Sequence, residues 1–244
     1  MVIMSTAGFE VYNDLNQLVI SSNFPVMNMS QLGVANCVMI DPYNSEGRVM
    51  YPGGAIRYDF PIVALKPLTL NLFPRLGGVT ANPSDWNDRR FVGLRFLAQN
   101  WNFAPVTGQV QAYLFEAFAI DSGSKFGMQS FDESGRLLFD SESVAMRVVK
   151  VGKPADATYD GYQDHGSGVG FGGYRTLFYS VPWPNDAEAY VEVSGGTYTS
   201  GGEGSGGVWG FVGNFKRLTL AYTYMKDYGL GGYTPGSVMF VKRT

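Results

Sequence analysis

The sequence predicts an all-β protein made of two tandem β-sandwich-like domains related by internal duplication. The first observation is a series of short segments rich in β-branched and aromatic residues, which is the composition of strands. The second is the frequency of glycine, proline and asparagine between these segments, where turns are expected. A convincing amphipathic helix longer than two turns is missing, and many short strands with frequent turns favour a sandwich. The clearest strand-like segments are 110–115, 190–193, 217–224 and 238–242.

The third observation is a repeated hairpin. The segments Gly8–Ser22 and Gly127–Ser141 align without a gap at a shift of 119 positions. In each, an apolar strand enters a polar turn, at Asn13–Asn16 or Asp132–Gly135, and a second strand leaves it. This is the pattern of a β-hairpin with a loop of about four residues. The repeat indicates that one unit occurs twice.

Two weaker similarities follow in the same order along both halves. Segment 91–96 resembles 215–220, and segment 107–110 resembles 235–238. Chance is the simpler explanation for these two pairs alone, but their order after the repeated hairpin favours duplication. We therefore predict an N-terminal domain over 1–119 and a C-terminal domain over 120–244, joined by a polar link.

The chain is poor in charge. Charged residues make up 16% of the sequence, against about 25% in an average soluble protein. Such a surface is typical of chains that contact other chains, although many monomeric β proteins share it. The net charge is −3 and the basic residues are scattered, so we expect no nucleic-acid partner.

The terminus and the cysteine content bear on the compartment. The segment Met1–Thr6 lacks the basic region of a signal peptide, and no apolar run approaches the ~18 residues of a membrane span. The one cysteine, Cys37, cannot form an intrachain disulfide and lies in an apolar run, where we expect a buried side chain. We expect no membrane insertion, and folding in a reducing cytoplasm.

The sequence predicts no catalytic, cofactor-binding or metal site. The patterns Gly168–Gly173 and Gly202–Gly207 match the dinucleotide fingerprint, but neither lies between a strand and a helix. The lone histidine, His165, excludes the common histidine metal sites, and its neighbour Asp164 lies on a glycine-rich segment unsuited to a rigid triad. No two carboxylates are paired at a working separation, so a glycosidase is the least favoured alternative.

The glycine-rich stretch Gly195–Gly213 is the candidate for partner or receptor contact. Its aromatic residues, Tyr198, Trp209 and Phe211, could stack on a neighbouring protein or a host surface sugar while the glycines let the backbone approach. The alternative interpretation is that Val208–Val212 is a strand leading into the domain core. In that case only the segment before it forms a loop.

The repeated hairpin resembles the opening of small virion proteins of tailed bacteriophages that are associated with the tail tip and tail fibres. The shared features are a glycine, an apolar and aromatic run ending in Asn or Asp, a short turn, and apolar residues before a final serine, as in Gly8–Ser22 and Gly127–Ser141. The chain departs from this pattern at Ser130, where Val11 predicts an apolar residue, and in the glycine-rich insert of the second half. The insert puts equal roles for the two halves in doubt.

The resemblance implies a structural protein and no enzyme. Its expected partners are other virion proteins in a symmetric homo-oligomeric or hetero-oligomeric assembly, with a host surface glycan as a further candidate. Its expected location is the virion, assembled in the host cytoplasm, with a part in host adsorption. The alternatives are a carbohydrate-binding β-sandwich module and a capsid decoration protein.

Overall fold

The computed structural model describes residues 10–12, 18–21, 27–42, 44–52, 61–81, 91–100, 104–116, 123, 126–131, 134–135, 137–166, 173–192, 206–225 and 237–243. Over these residues the regular structure consists of strands and a 3-10 turn at Pro154–Asp156, with no α-helix. The predicted all-β class is confirmed. The strands are β1 (Glu10–Tyr12), β2 (Leu18–Ser21), β3 (Asn28–Asp41), β4 (Asn44–Met50), β5 (Ile62–Pro67), β6 (Phe73–Ala81), β7 (Phe91–Gln99), β8 (Gly108–Glu116), β9 (Gln129–Phe131), β10 (Leu137–Asp140), β11 (Met146–Gly152), β12 (Thr158–His165), β13 (Tyr174–Pro182), β14 (Ala189–Glu192), β15 (Gly206–Phe211), β16 (Arg217–Met225) and β17 (Val238–Arg243).

The two predicted hairpins have the same local structure. β1 pairs antiparallel with β2, and β9 pairs antiparallel with β10, with strand bounds that differ by the same 119 positions as the sequences. Even the irregularity is shared, because a register shift separates the last pair from the preceding one in both hairpins. In the second turn Gly135 has a φ of 80°, a conformation that favours glycine.

The order of the later strands is also repeated. In the first half the neighbours run β5-β8-β3-β4-β7-β6, and in the second half they run β14-β17-β11 and then β12-β13-β16-β15. β3 therefore corresponds to β11 and β12 together, and all these pairings are antiparallel. This repetition of one topology is the arrangement that an internal duplication predicts.

Each half has the layers of a sandwich. In the first half the three strands β3-β8-β5 face the four strands β3-β4-β7-β6 across an apolar core, with β3 in both layers. In the second half β11-β17-β14 face β12-β13-β16-β15. The two weak sequence similarities occupy equivalent places in these cores. Leu94 and Phe96 in β7 correspond to Leu218 and Leu220 in β16, and all four side chains are buried.

The two halves are joined rather than separate. β14 of the second half pairs antiparallel with β5 of the first, with Tyr190 opposite Leu65. Strands from both sides of the predicted boundary at residue 120 thus belong to one nine-stranded sheet, and their side chains contribute to one core cluster. The reason is that β5 and β14 are the exposed edges of equivalent sheets, and pairing satisfies the backbone groups of both.

The joined three-stranded parts close into a ring of six strands. The first and last of these, β3 and β11, meet where Asn28 pairs with Ala145. Two backbone hydrogen bonds fix this closure, from Met29 N to Val144 O at 2.7 Å and from Met146 N to Met27 O at 2.8 Å. All six strands contribute apolar side chains to a second core inside the ring. The ring therefore encloses a core of its own, separate from that between the sandwich layers.

The halves differ at the strand that bends between the two layers. β3 runs without interruption over its 14 residues, from its pairing with β8 to its pairing with β4. In the second half the corresponding stretch is broken between β11 and β12 by the 3-10 turn that starts at Pro154. A proline lacks the N–H that a continued strand needs, so β12 starts afresh as an edge strand of its own sheet.

A pair of phenylalanine variants tests whether the ring interior is a core. Phe115 is fully buried inside the ring, whereas Phe126 is 86% exposed. We expect Phe115→Ala to lower the free energy of unfolding by about 3–5 kcal/mol, because it removes a large buried side chain and leaves a cavity. Phe126→Ala should change it by less than about 0.5 kcal/mol. Urea unfolding followed by tryptophan fluorescence measures both, and equal effects would contradict a ring core.

Candidate functional site

The three residues predicted to contact a partner lie in different environments. Tyr198 lies outside the described residues. Trp209 and Phe211 belong to β15 and are each only 1% exposed. Their side chains pack in the core, which is the arrangement of the alternative interpretation, a strand leading into the domain.

Aromatic packing holds this strand in place. The ring of Trp183 lies 5.1 Å from that of Phe211 and 5.3 Å from that of Phe240, so three elements of the second half meet there. The hydroxyl of Tyr190, on the strand that joins the halves, donates a hydrogen bond of 3.1 Å to the carbonyl oxygen of Trp209. Burial raises the pKa of Tyr190 well above its ordinary value, with the nearby Glu192 as a second cause, so this donor stays protonated.

The neighbouring residues Asp164 and His165 serve separate structural contacts. Asp164 accepts two hydrogen bonds from Arg175, at 2.6 and 3.0 Å, and the Arg175 guanidinium lies 4.1 Å from the ring of Tyr162. His165 Nε2 lies 2.9 Å from Thr176 Oγ1, which in turn bonds Thr223. Over the part of the chain that the structure describes, no group of three or more His, Cys, Asp or Glu side chains could hold a metal ion.

Cys37 is buried at 1% exposure in the first-half core, as the sequence predicts. Burial, together with the smaller effect of the negative charge of Glu46, raises the pKa of its thiol from 9.0 to about 11. At neutral pH the group is therefore a protonated thiol, which is a poor nucleophile.

A groove of about 380 Å³ lies on the outer face of the four-stranded sheet of the second half, away from the sandwich core. β12, β13 and β16 form its floor, and the turn between β15 and β16 forms one wall. Its lining mixes charged, polar and apolar side chains. They are Asp160, Gln163, Phe178, Ser180, Val212, Asn214, Arg217 and Thr219.

A β-bulge in β12 contributes the acidic residue of this groove. Tyr159 pairs with Tyr179 and Gly161 with Phe178, so Asp160 is an extra residue without a partner in the ladder. Gly161 has a φ of 114°, a value that side-chain-bearing residues rarely adopt. Bulges redirect side chains beside functional sites. A glycine within a strand is the sequence signal for such a bulge.

The wall of the groove is held by the other half of the chain. Asn71, in the turn between β5 and β6, donates its N–H to the Phe211 carbonyl at 2.8 Å. Its side-chain Oδ1 accepts a hydrogen bond of 3.4 Å from Gly213 N. Asn71 has a φ of 59°, a left-handed conformation that asparagine tolerates better than most residues. The segment that carries Val212 and Asn214 is thus positioned by contacts across the join.

An exposed apolar stripe lies on the other half. Val34, Val38 and Ile40 alternate along β3 on the face turned away from the buried Ala35 and Cys37, and they are 42%, 52% and 60% exposed. Beside the stripe, Glu46 lies opposite Val38 and forms ion pairs with Arg48 at 2.8 Å and Arg95 at 3.5 Å. The surface is therefore apolar along β3 with charges next to it.

Comparison with known proteins gives no match to a family model, to a curated protein or to a solved structure. Among the residues described, no helix is long and apolar enough to cross a membrane.

A tyrosine variant tests the contact between the joining strand and β15. We expect Tyr190→Phe to lower the free energy of unfolding by about 1 kcal/mol, because it removes one buried hydrogen bond and leaves the Trp209 carbonyl without that donor. Tyr159→Phe is the matched control, since Tyr159 is 51% exposed. Chemical denaturation measures both, and no difference between the two variants would contradict the role given to this hydroxyl.

Thiol labelling tests the burial of Cys37. With its pKa raised to about 11, the folded protein holds very little thiolate at pH 8. We expect slow reaction with a disulfide reagent in native buffer and fast, complete reaction in urea. Because the folded pKa lies above the ordinary value of 9.0, the native labelling rate should keep rising between pH 9 and 11. Immediate labelling of native protein at pH 8 would contradict this environment.

Proposed function

We propose that this chain is a structural subunit of a tailed-phage virion, at the tail tip or a tail fibre, where it contributes to assembly and host adsorption. The observation that carries the proposal is the apolar stripe of Val34, Val38 and Ile40 on an exposed sheet face. The resemblance of the repeated hairpin to tail-associated virion proteins supplies the kind of assembly. The low content of charge supports the same conclusion.

The stripe has the composition of the centre of a protein–protein interface. Fully covering a Val or Ile side chain contributes about 1.5–3 kcal/mol, so the three half-exposed side chains, with Asn36 between Val34 and Val38, leave several kcal/mol for a partner to gain. The ion pairs of Glu46 with Arg48 and Arg95 lie beside the stripe, where interfaces place their polar rim. A neighbouring virion protein is the partner that fits this surface in the proposed assembly.

The groove of the second half supports a second candidate function, a carbohydrate-binding β-sandwich module. Mixed donors and acceptors beside the half-buried ring of Phe178 suit a sugar more than an apolar partner. A capsid decoration protein is the third candidate, because the stripe alone does not distinguish one virion surface from another. The location of the chain on the particle separates these possibilities.

Electron microscopy of phage particles labelled with antibody against the chain tests the location. We expect label at the tail tip or along the tail fibres. Label on capsid faces would favour the decoration protein, and particles without label would overturn the virion proposal.

A charge placed in the stripe tests its role in assembly. We expect Val38→Lys to reduce incorporation into particles at least tenfold, because burying an unpaired ammonium group in an interface is costly. Its free energy of unfolding should change by less than about 0.5 kcal/mol, since Val38 is exposed. Val148→Lys is the control, at a 44% exposed valine in β11 outside the stripe. Immunoblots of purified particles measure incorporation, and equal incorporation of the two variants would argue against the stripe as an interface.

A further inference from the structure

We propose that the groove on the outer face of the second-half sheet is a saccharide-binding site that accepts a pyranose ring with vicinal hydroxyl groups. This inference rests on the groove alone and stands whether or not the chain belongs to a virion. It assigns binding to the residues Asp160, Gln163, Asn214 and Arg217, with Phe178 as the apolar contact.

The groove presents polar groups that the protein itself leaves unused. Within the described part of the chain, the Asp160 carboxylate, the Gln163 amide, the Asn214 Nδ2 and the Arg217 Nη1 have no hydrogen-bond partner. Asp160 and Arg217 also form no ion pair with each other, although both line the same groove. The groove is therefore lined by two groups able to accept, the Asp160 carboxylate and Gln163 Oε1, and by three able to donate, Gln163 Nε2, Asn214 Nδ2 and Arg217 Nη1.

This combination selects a ligand that both donates and accepts. A simple anion would meet the carboxylate of Asp160, and a simple cation would meet the guanidinium of Arg217. Vicinal hydroxyls can donate to a carboxylate and accept from guanidinium and amide N–H groups at the same time. The C–H face of a pyranose can pack on an aromatic ring, as Phe178 offers, and Val212 adds an apolar side that is 39% exposed. A volume of about 380 Å³ lies in the range of small-ligand sites.

Arg217, Asn214 and Phe178 are held in position before a ligand arrives. Arg217 donates from Nε to Ser180 Oγ at 2.7 Å and from Nη2 to Ser180 O at 3.1 Å, and Ser180 is 1% exposed. The Asn214 Oδ1 accepts from Lys216 N at 2.8 Å, which fixes its side-chain amide. The bulge fixes the backbone of Asp160, and Phe178 packs against Phe73 and Ala221 in a small core. Preorganisation of this kind lowers the cost of binding.

Saturation-transfer NMR with the full chain tests the proposal. The probes are methyl β-D-glucopyranoside, methyl β-D-galactopyranoside, methyl α-D-mannopyranoside and N-acetyl-D-glucosamine. We expect transfer to at least one of them, with a Kd on the order of 1 mM for a ligand of this size. Asp160→Asn and Arg217→Gln should each weaken binding of that probe about tenfold or more, because each removes a charge-assisted hydrogen bond. The control Glu142→Gln removes an exposed charge outside the groove and should leave binding unchanged.

A glycine variant separates the bulge from the fold as a whole. A Cβ at Gly161 would meet nothing within 4 Å, so Gly161→Ala acts on the φ of 114° and adds no steric contact. We expect it to weaken probe binding while the near-ultraviolet circular dichroism spectrum of the protein stays native. Absence of transfer to all four probes would overturn the proposal. Equal binding by wild type, Asp160→Asn and Arg217→Gln would also overturn it. So would a preference of the groove for the free amino acid glycine, added as a competing ligand, over every sugar.

Discussion

The rest of the structure depends on the closed ring of six strands, in which β8 is buried on both faces. Tyr113, Leu114 and Phe115 are consecutive in β8 and all buried, the outer two facing the ring interior and the middle one facing the sandwich core. A strand with apolar side chains on both faces needs a covering layer on each side. The four-stranded parts supply one layer, and the opposite side of the ring supplies the other. Pairing of β5 with β14 and the closure at Asn28 and Ala145 are the contacts that make this possible.

The join between the halves also positions the groove. The turn that carries Asn71 follows β5, the strand that pairs with β14. This turn reaches β15 of the second half. A Cβ at Gly210 would lie 2.6 Å from the Leu72 carbonyl oxygen, so only glycine permits this close approach. Phe73 then packs against Phe178, which lines the groove. The candidate site lies on the second half, yet its shape depends on residues of the first.

One repeated topology carries two different surfaces because of a single break in a strand. In the first half β3 continues from the ring into the four-stranded sheet, and its exposed positions include the three apolar residues of the stripe. In the second half the turn at Pro154 ends β11, and β12 begins independently with a bulge at Asp160. The first half therefore offers an apolar face suited to a protein neighbour, and the second offers a polar groove.

The sequence by itself determined the elements whose signals are local. Richness in β-branched and aromatic residues predicted β8, β14, β16 and β17, and the repeated turn chemistry predicted the two hairpins. The burial of the Cys37 side chain was predicted in the same way, from the apolar run around it. These signals act within a few residues, so a short stretch of sequence contains all the information that they need.

Only the tertiary structure decided how these elements are combined. Edge strands look alike in sequence whether they face solvent or pair with an equivalent edge, so the pairing of Leu65 with Tyr190 and the shared sheet had no local signal. The burial of Trp209 and Phe211 depended on Trp183 and Phe240, which lie elsewhere in the chain. The groove joins Asp160 to Arg217 across three strands. Contacts between residues this far apart in the chain follow from the closure of the sheet, which no short pattern of residues specifies.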